Sequence, residues 1–196
     1  MTEIAHQKRF VFLGIQGRFT FYVLSTLLEG YCRPQAIIIY GDDPQQAQAE
    51  ISGIRIEVST SEKSLFQLAR KFKVPLEYVN NRKLLSTLSK YRYDYIVTAC
   101  WPSLISEQVL SSAQVAAMNI HPSLLPLYRG ANPIRDQLAK GDKDFGVTVH
   151  KMNQHYDMGE VISQVALEKP YQESFKVIEK GCAIAGAGLV MQMIKK

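Results

Sequence analysis

The chain has 196 residues, enough for one substantial domain with a full hydrophobic core and short for two, so a single domain over 1–196 is expected. Its 46% hydrophobic, 21% charged and 10% aromatic content exclude a disordered or low-complexity chain. The net charge of +5 is modest; Arg70, Lys71, Lys73, Arg82, Lys83, Lys90 and Arg92 crowd a short interval, read as a solvated helical face, with phosphate or RNA attraction as the alternative. No apolar run approaches the length of a membrane span, and Met1 to Gln7 lacks the apolar core of a signal peptide, so no membrane contact and a cytoplasmic location are expected. Cys32, Cys100 and Cys182 are scattered without CxxC spacing, which predicts buried thiols and neither a zinc site nor a disulfide framework.

Phe10 to Gly14 reads as a buried first strand. The turn from Gly14 to Arg18 lacks the third glycine and the lysine of a phosphate loop and is read as a tight turn. A helix follows over Thr20 to Glu29, with Phe21, Leu24, Leu27 and Leu28 at helical period and Gly30 as its stop. Ala36 to Tyr40 is the second strand, ended by the turn signal Gly41 to Pro44, and a polar connection runs through about Gly53. Ile54 to Val58 reads as a short strand. Ser61, or alternatively Ser64, caps a helix carrying Leu65, Leu68, Ala69 and Phe72. Pro75 to Val79 is a short strand, Asn81 to Tyr91 a helix, and Tyr95 to Ala99 a central strand.

Ser106 caps a short helix from Glu107 to Leu110, and Ala116 to Ile120 is the next strand. Asn132 and Pro133 pair as cap and first turn of a helix that stops at Gly141. Phe145 to His150 alternates as a strand, and Glu160 to Leu167 pairs with it antiparallel. An amphipathic stretch from Gln172 to Ile194 forms the last helix. The alternation of strands and helices predicts an α/β doubly wound, mostly parallel sheet with a C-terminal antiparallel strand pair. Ligands in such sheets bind at the carboxyl ends of strands, which singles out the loop Cys100 to Ser106 and the loop after Ile120.

That second loop holds the densest set of reactive side chains. Asn119 and His121 alternate on an extended segment and share one face. Pro122 and Pro126 then bias their predecessors away from helix and stiffen the loop. Asp157 sits at the turn Asp157-Met158-Gly159. The set Asn119, His121, Ser123-Leu124-Leu125-Pro126, Gly130 and Asp157-Met158-Gly159, with the strand Gly146 to His150, closely resembles the 10-formyltetrahydrofolate-dependent formyltransferases. This resemblance implies a Rossmann-like formyltransferase fold and a folate formyl donor without a metal. It implies catalytic roles for Asn119, His121 and Asp157, and a pterin between Ser103, Leu104, Ile105 and the loop Asn153, Gln154, His155, Tyr156.

The chemistry gives its own reason. Attack of an amine on a formyl carbon builds charge on the formyl oxygen, which the amide of Asn119 or a protonated His121 would stabilise. Asp157 beside the imidazole favours its charged form and would hold a water that shuttles the proton. Ser123 is read as structural, bonding the loop backbone. His150 is read as a plain strand residue and His155 as loop, with no metal pair for want of carboxylate or cysteine partners.

Three acceptor branches compete. The glycine- and serine-rich loop of glycinamide ribonucleotide formyltransferases is missing at Gly14 to Phe19. The segment Arg129-Gly130-Ala131-Asn132-Pro133 is similar to the methionyl-tRNA and amino-sugar enzymes, and it nominates Arg129 and Gly130 for the acceptor, Arg129 towards a phosphate. The chain stops at Lys196 without the further tRNA-gripping domain. The leading expectation is therefore a stand-alone enzyme for a small-molecule primary amine, an amino sugar on a nucleotide carrier. A methionyl-tRNA acceptor stands second, and a folate-dependent hydrolase or folate-binding module third. Oligomeric state is left open.

Overall fold

The computed structural model describes residues 8–41, 64–168 and 174–195. The first strand, β1 (Phe10–Gly14), is buried on both faces. Its side chains alternate between two cores: Phe10 and Phe12 enter one, Val11 and Leu13 the other. The same holds for β2 (Ile37–Tyr40), where Ile37 and Ile39 face one core and Ile38 the other. A strand covered by helices on both sides has no polar face, which is why both segments read as continuous apolar runs.

Beyond these lie β3 (Leu76–Val79), β4 (Tyr95–Ala99), β5 (Ala116–His121), β6 (Gly146–Lys151) and β7 (Val161–Ala166). They form one seven-stranded sheet of order β3-β2-β1-β4-β5-β6-β7. Pairing is parallel from β3 through β5. Both β5 with β6 and β6 with β7 are antiparallel. The order reverses between β1 and β4, so a crevice opens at their carboxyl ends.

Helices α1 (Arg18–Glu29), α2 (Leu65–Phe72) and α6 (Phe175–Ile194) cover the Phe10 and Phe12 face, while α3 (Asn81–Leu88) and α4 (Glu107–Leu110) cover the other. A further helix, α5 (Pro133–Ala139), follows the His121 loop. Element boundaries move by a few residues from those expected. Of the two cap candidates, Ser64 accepts from the Gln67 N–H at the start of α2. Ser61 and the strand expected at Ile54 to Val58 lie outside the described residues. Helix α3 ends at Leu88 and not at Tyr91, because the Lys90 and Tyr91 amides bond three residues back, to Thr87 and Leu88. Asn132 precedes α5 but makes no side-chain cap, so Pro133 alone sets its first turn.

Two further expectations are corrected at α6. Buried Ile178, Cys182, Ala183, Ala187, Val190 and Ile194 face the sheet, yet Val177 and Ile184 are exposed, so the helix has no clean polar side. With 20 residues and a mean hydropathy of 1.4 it is also long and apolar enough to cross a membrane, against the sequence expectation. Its packing identifies it as a core helix: Gly186 lies directly on Ile120 and Val147 of the sheet. The expectation of three buried thiols holds for Cys32 and Cys182, whereas Cys100 is exposed at the end of β4.

Truncating Phe12, which is 0% exposed in the core shared with α1, α2 and α6, leaves a cavity that the close-packed core cannot fill. Phe12→Ala is expected to lower the unfolding free energy by about 3–5 kcal/mol, read from urea or thermal melts.

Candidate active site

The antiparallel register of β5 and β6 sets Asn119 opposite His150 and His121 opposite Thr148. Directly opposed residues project to the same side of a sheet. Asn119 is oriented by the Thr98 hydroxyl, which donates to its Oδ1 at 2.7 Å. That fixes the amide nitrogen on the other side, where Nδ2 donates to Asp157 Oδ1 at 3.5 Å and lies 3.2 Å from Nε2 of His150. His150 is itself held from behind, its Nδ1 donating to the Lys151 carbonyl at 2.8 Å.

His121 is held the opposite way. Its Nε2 donates to the Tyr128 carbonyl at 2.8 Å, and its Nδ1 faces Asp157 Oδ1 at 3.4 Å. The His121 and His150 rings stand edge to face at 6.4 Å. His150 Nε2 is also 3.4 Å from the same carboxylate oxygen. His150 is therefore part of the cluster and not a plain strand residue. The Gly130 N–H donates to Asp157 Oδ2 at 2.9 Å, and Arg129 Nε donates to the Asp157 backbone carbonyl at 3.0 Å.

The loop between His121 and Gly130 is anchored from beneath. Thr148, fully buried, donates to the Ser123 carbonyl at 2.7 Å and accepts from the Leu125 N–H at 3.1 Å. Ser123 donates to the Leu127 carbonyl at 2.7 Å, the structural role expected of it. Cys100, Tyr128 and Asp157, all in loops around the cluster, are among the non-glycine residues at positive φ. Gly159 explains the rest of the DxG turn: a Cβ there would lie 1.7 Å from the Lys151 carbonyl oxygen. Gly130, at φ +105, likewise occupies backbone space that side chains rarely reach.

Burial pushes His121 below its ordinary 6.5, and neither the attraction of Asp157 nor the Tyr128 carbonyl reverses this. The pull of Asp157 towards the charged form, expected from the sequence, is present, and burial opposes it, which leaves the resting imidazole deprotonated near pH 7. For Asp157, burial pushes the carboxyl up, but His150, His121 and the Gly130 N–H outweigh it and hold it below the ordinary 3.8. Since Nε2 of His121 already carries a proton towards Tyr128, its Nδ1 is the site that accepts another. The cluster thus holds a neutral base, a carboxylate behind it and an aimed amide N–H.

Of the residues expected around the pterin, Ile105 is buried, Ser103 half-buried, and Leu104, Asn153, Gln154, His155 and Tyr156 exposed. Gln154 Nε2 donates to Glu107 at 3.0 Å, tying the two loops together. Asn153 Oδ1 accepts from the His155 N–H at 2.9 Å and shapes its own loop. Beside the cluster, at the carboxyl ends of β1 and β4, lies a cavity of about 120 Å³ whose lining includes Phe19, Thr20, Cys100, Pro122, Ala131 and Phe175. Arg18 also reaches it, but its Nε donates to Glu179 at 2.9 Å, with both side chains 13% exposed. Among the described residues no group of three or more His, Cys, Asp or Glu side chains is arranged to hold a metal.

Thr98, Thr148 and His150 were missed by sequence reasoning. The signal for two of them was present: Thr148 and His150 alternate on one strand, and pairing that strand with β5 places them against His121 and Asn119. Thr98 carries no comparable signal, since a threonine within a buried strand is ordinary.

Residues 8–192 match the family described as Formyl transferase, and the chain belongs to that family. It is 28% identical over 191 residues to the methionyl-tRNA formyltransferase of Thermotoga maritima, covering 96% of this chain and 58% of that protein. The chain thus spans little more than half of that curated relative. Among solved structures, glycinamide ribonucleotide transformylase 1 of Symbiobacterium toebii superposes with a TM-score of 0.72 at 20% identity, covering 97% and 87% of the two chains. A sugar N-formyltransferase of a Shewanella species does so with 0.63 at 16%, covering 97% and 69%. These structural likenesses establish the fold.

Two outcomes are expected of this geometry. An NMR pH titration should place the His121 imidazole midpoint below 6.5; a midpoint above it would show that Asp157 outweighs burial. Gly159→Ala should force the Asp157 turn off Lys151 and lower stability by about 2 kcal/mol or more, with the largest chemical-shift changes at His121 and His150.

Proposed function

We propose that this chain transfers a formyl group from 10-formyltetrahydrofolate to the primary amine of a small molecule, an amino sugar on a nucleotide carrier. The observation that carries the reading is the convergence of Asn119, His121 and Asp157, in a family of formyl transferases, with Nδ1 of His121 3.4 Å from the Asp157 carboxylate. The residues suit such a donor, because an amide N–H, a neutral base and a carboxylate are what transfer between a formyl amide and an amine needs, and no protein nucleophile is required.

When bound, 10-formyltetrahydrofolate supplies a formyl carbon open to amine attack. Asn119, its carbonyl end held by Thr98, offers an N–H to the oxygen on which negative charge develops. His121 Nδ1 takes a proton from the attacking amine, the resulting imidazolium is stabilised by Asp157 on one side and the Tyr128 carbonyl on the other, and that proton passes to the donor nitrogen as its bond to the formyl carbon breaks and tetrahydrofolate leaves. His150 and the Gly130 N–H hold Asp157 and Asn119 in place. The Ser103 to Ile105 and Asn153 to Tyr156 segments, tied by Gln154 and Glu107, form the donor cleft.

On the acceptor side, the Arg18 charge is already met by Glu179, which speaks against a phosphate in the cavity at the β1 turn. Arg129 is exposed and spends Nε on the Asp157 carbonyl, so its terminal N–H groups are the ones to meet a phosphate of the acceptor. A methionyl-tRNA acceptor is the second reading, favoured by the Thermotoga relative and by the exposed Arg70, Lys71, Lys73, Arg82, Lys83 and Arg92.

Incubation with 10-formyltetrahydrofolate and panels of amino-sugar nucleotides, glycinamide ribonucleotide and methionyl-tRNA should release tetrahydrofolate only with an amine present. Release without amine would mean hydrolysis, and salt-sensitive activity on tRNA would favour the second reading. His121→Ala and Asp157→Asn are each expected to lower kcat/KM by about 10²–10⁴-fold in folded protein; near-normal rates would refute their roles. The kcat/KM profile should rise with pH through the depressed His121 midpoint, since the base works deprotonated.

A further inference from the structure

The segment from Trp101 to Ile105 lies outside any helix or strand, so its shape must come from contacts beyond its own backbone. One side chain supplies three of them. Asn81, the first residue of α3, donates through Nδ2 to Ser103 Oγ at 2.8 Å and to the Leu104 carbonyl at 3.2 Å. Its Oδ1 accepts from the Trp101 indole Nε1–H at 3.1 Å.

Helix α3 does not need this side chain. Its cap is the neighbouring Asn80, whose Oδ1 accepts from the Arg82 and Lys83 amides at 3.1 and 3.4 Å. Both N–H groups and one acceptor site of Asn81 are instead spent on the loop. The Trp101 ring, only 9% exposed, is fixed further by an edge-on contact with Tyr40 at 5.3 Å between centroids. At the far end of the loop, Glu107 is fixed by Gln154.

We propose that Asn81 is a positioning residue for donor binding, resting on the reading that Ser103 to Ile105 receives the folate. By holding the Leu104 carbonyl on its own side, Asn81 turns the Ile105 N–H to the opposite side of the loop, because the two groups of a trans peptide point apart. A backbone group set in advance recognises a flat heterocycle without ordering a loop on binding. Asn81 touches neither reacting atoms nor the His121 cluster, so its removal weakens donor binding and leaves the chemical step alone.

The test separates KM from kcat. In folded full-length protein, Asn81→Ala is expected to raise the KM for 10-formyltetrahydrofolate about tenfold, with kcat at saturating donor and acceptor within about twofold. Calorimetry with tetrahydrofolate alone should show the same weakening. Asn81→Asp, which keeps the acceptor for Trp101 but loses both donors, should weaken binding as much, while Ser86→Ala, at an exposed position of the same helix, should not. Trp101 is the only tryptophan, so its emission reports directly whether the loop has been released. Altered emission with unchanged donor KM would overturn the role of Asn81, as would a fall in kcat at unchanged KM. Wild-type protein that fails to bind tetrahydrofolate would remove the donor reading itself, and this proposal with it.

Discussion

A carboxylate taken out of water stays ionised only where the protein replaces the hydration it has lost. Asp157, with a side chain 10% exposed, meets that demand through groups from three parts of the chain. Asn119 and His121 come from β5, His150 from β6, and the Gly130 N–H from the end of the proline-rich loop. Each must arrive within about 3.5 Å of one carboxyl group, which makes the register of β5 against β6 a condition of the site. The glycines follow from the same demand: Gly130 must present its N–H from an unusual backbone conformation, and Gly159 must let the turn pass against Lys151.

The sheet places this cluster beside a second feature of different origin. Parallel strands diverge in winding direction at β1 and β4, and the crevice there needs no special residues to exist. What the chain adds is its lining: the left-handed Cys100, the Arg18 to Glu179 pair, and aromatic walls from Phe19 and Phe175. The Asn119, His121 and His150 cluster lies where β5 meets the antiparallel β6, and the cavity at the parallel switch, with its lining residues Pro122 and Ala131 next in sequence to His121 and Gly130.

Much of the fold was legible because the strands are buried on both faces. Runs such as Phe10 to Gly14 and Tyr95 to Ala99 have little freedom to be anything else, and both were placed with correct boundaries. Turn and cap chemistry was legible where a single short side chain decides it, as at Ser106 and Ser64. It failed at Asn132, whose side chain leaves the helix uncapped although the residue type favours capping. For the site, Asn119, His121 and Asp157 come together as their order implied. The carboxylate beside His121 was legible, whereas the depth of burial that opposes its pull was not. His150 was missed because the alternation of its strand shows which residues share a face and only the register against β5 shows what they meet. The apolar length of α6 was also underestimated: alanines and glycines such as Ala183, Gly186 and Ala187 dilute a hydrophobic pattern while packing closely against strands.

The strand order carries a consequence for how the chain reaches this state. Strand β1 lies at the middle of the sheet, yet one of its two neighbours is β4, pinned through Arg9 and Asp94 across a separation of 85 residues. Arg18 and Glu179, which close α1 against α6, are 161 residues apart. Contacts of such long range yield nothing until the large loops between them have closed, so folding of this domain is governed by topology and belongs among the slower α/β proteins. On a ribosome, the core formed by Phe10 and Phe12 remains uncovered until α6 has emerged. Phe10 and Phe12 thus belong to a surface that only α6 completes.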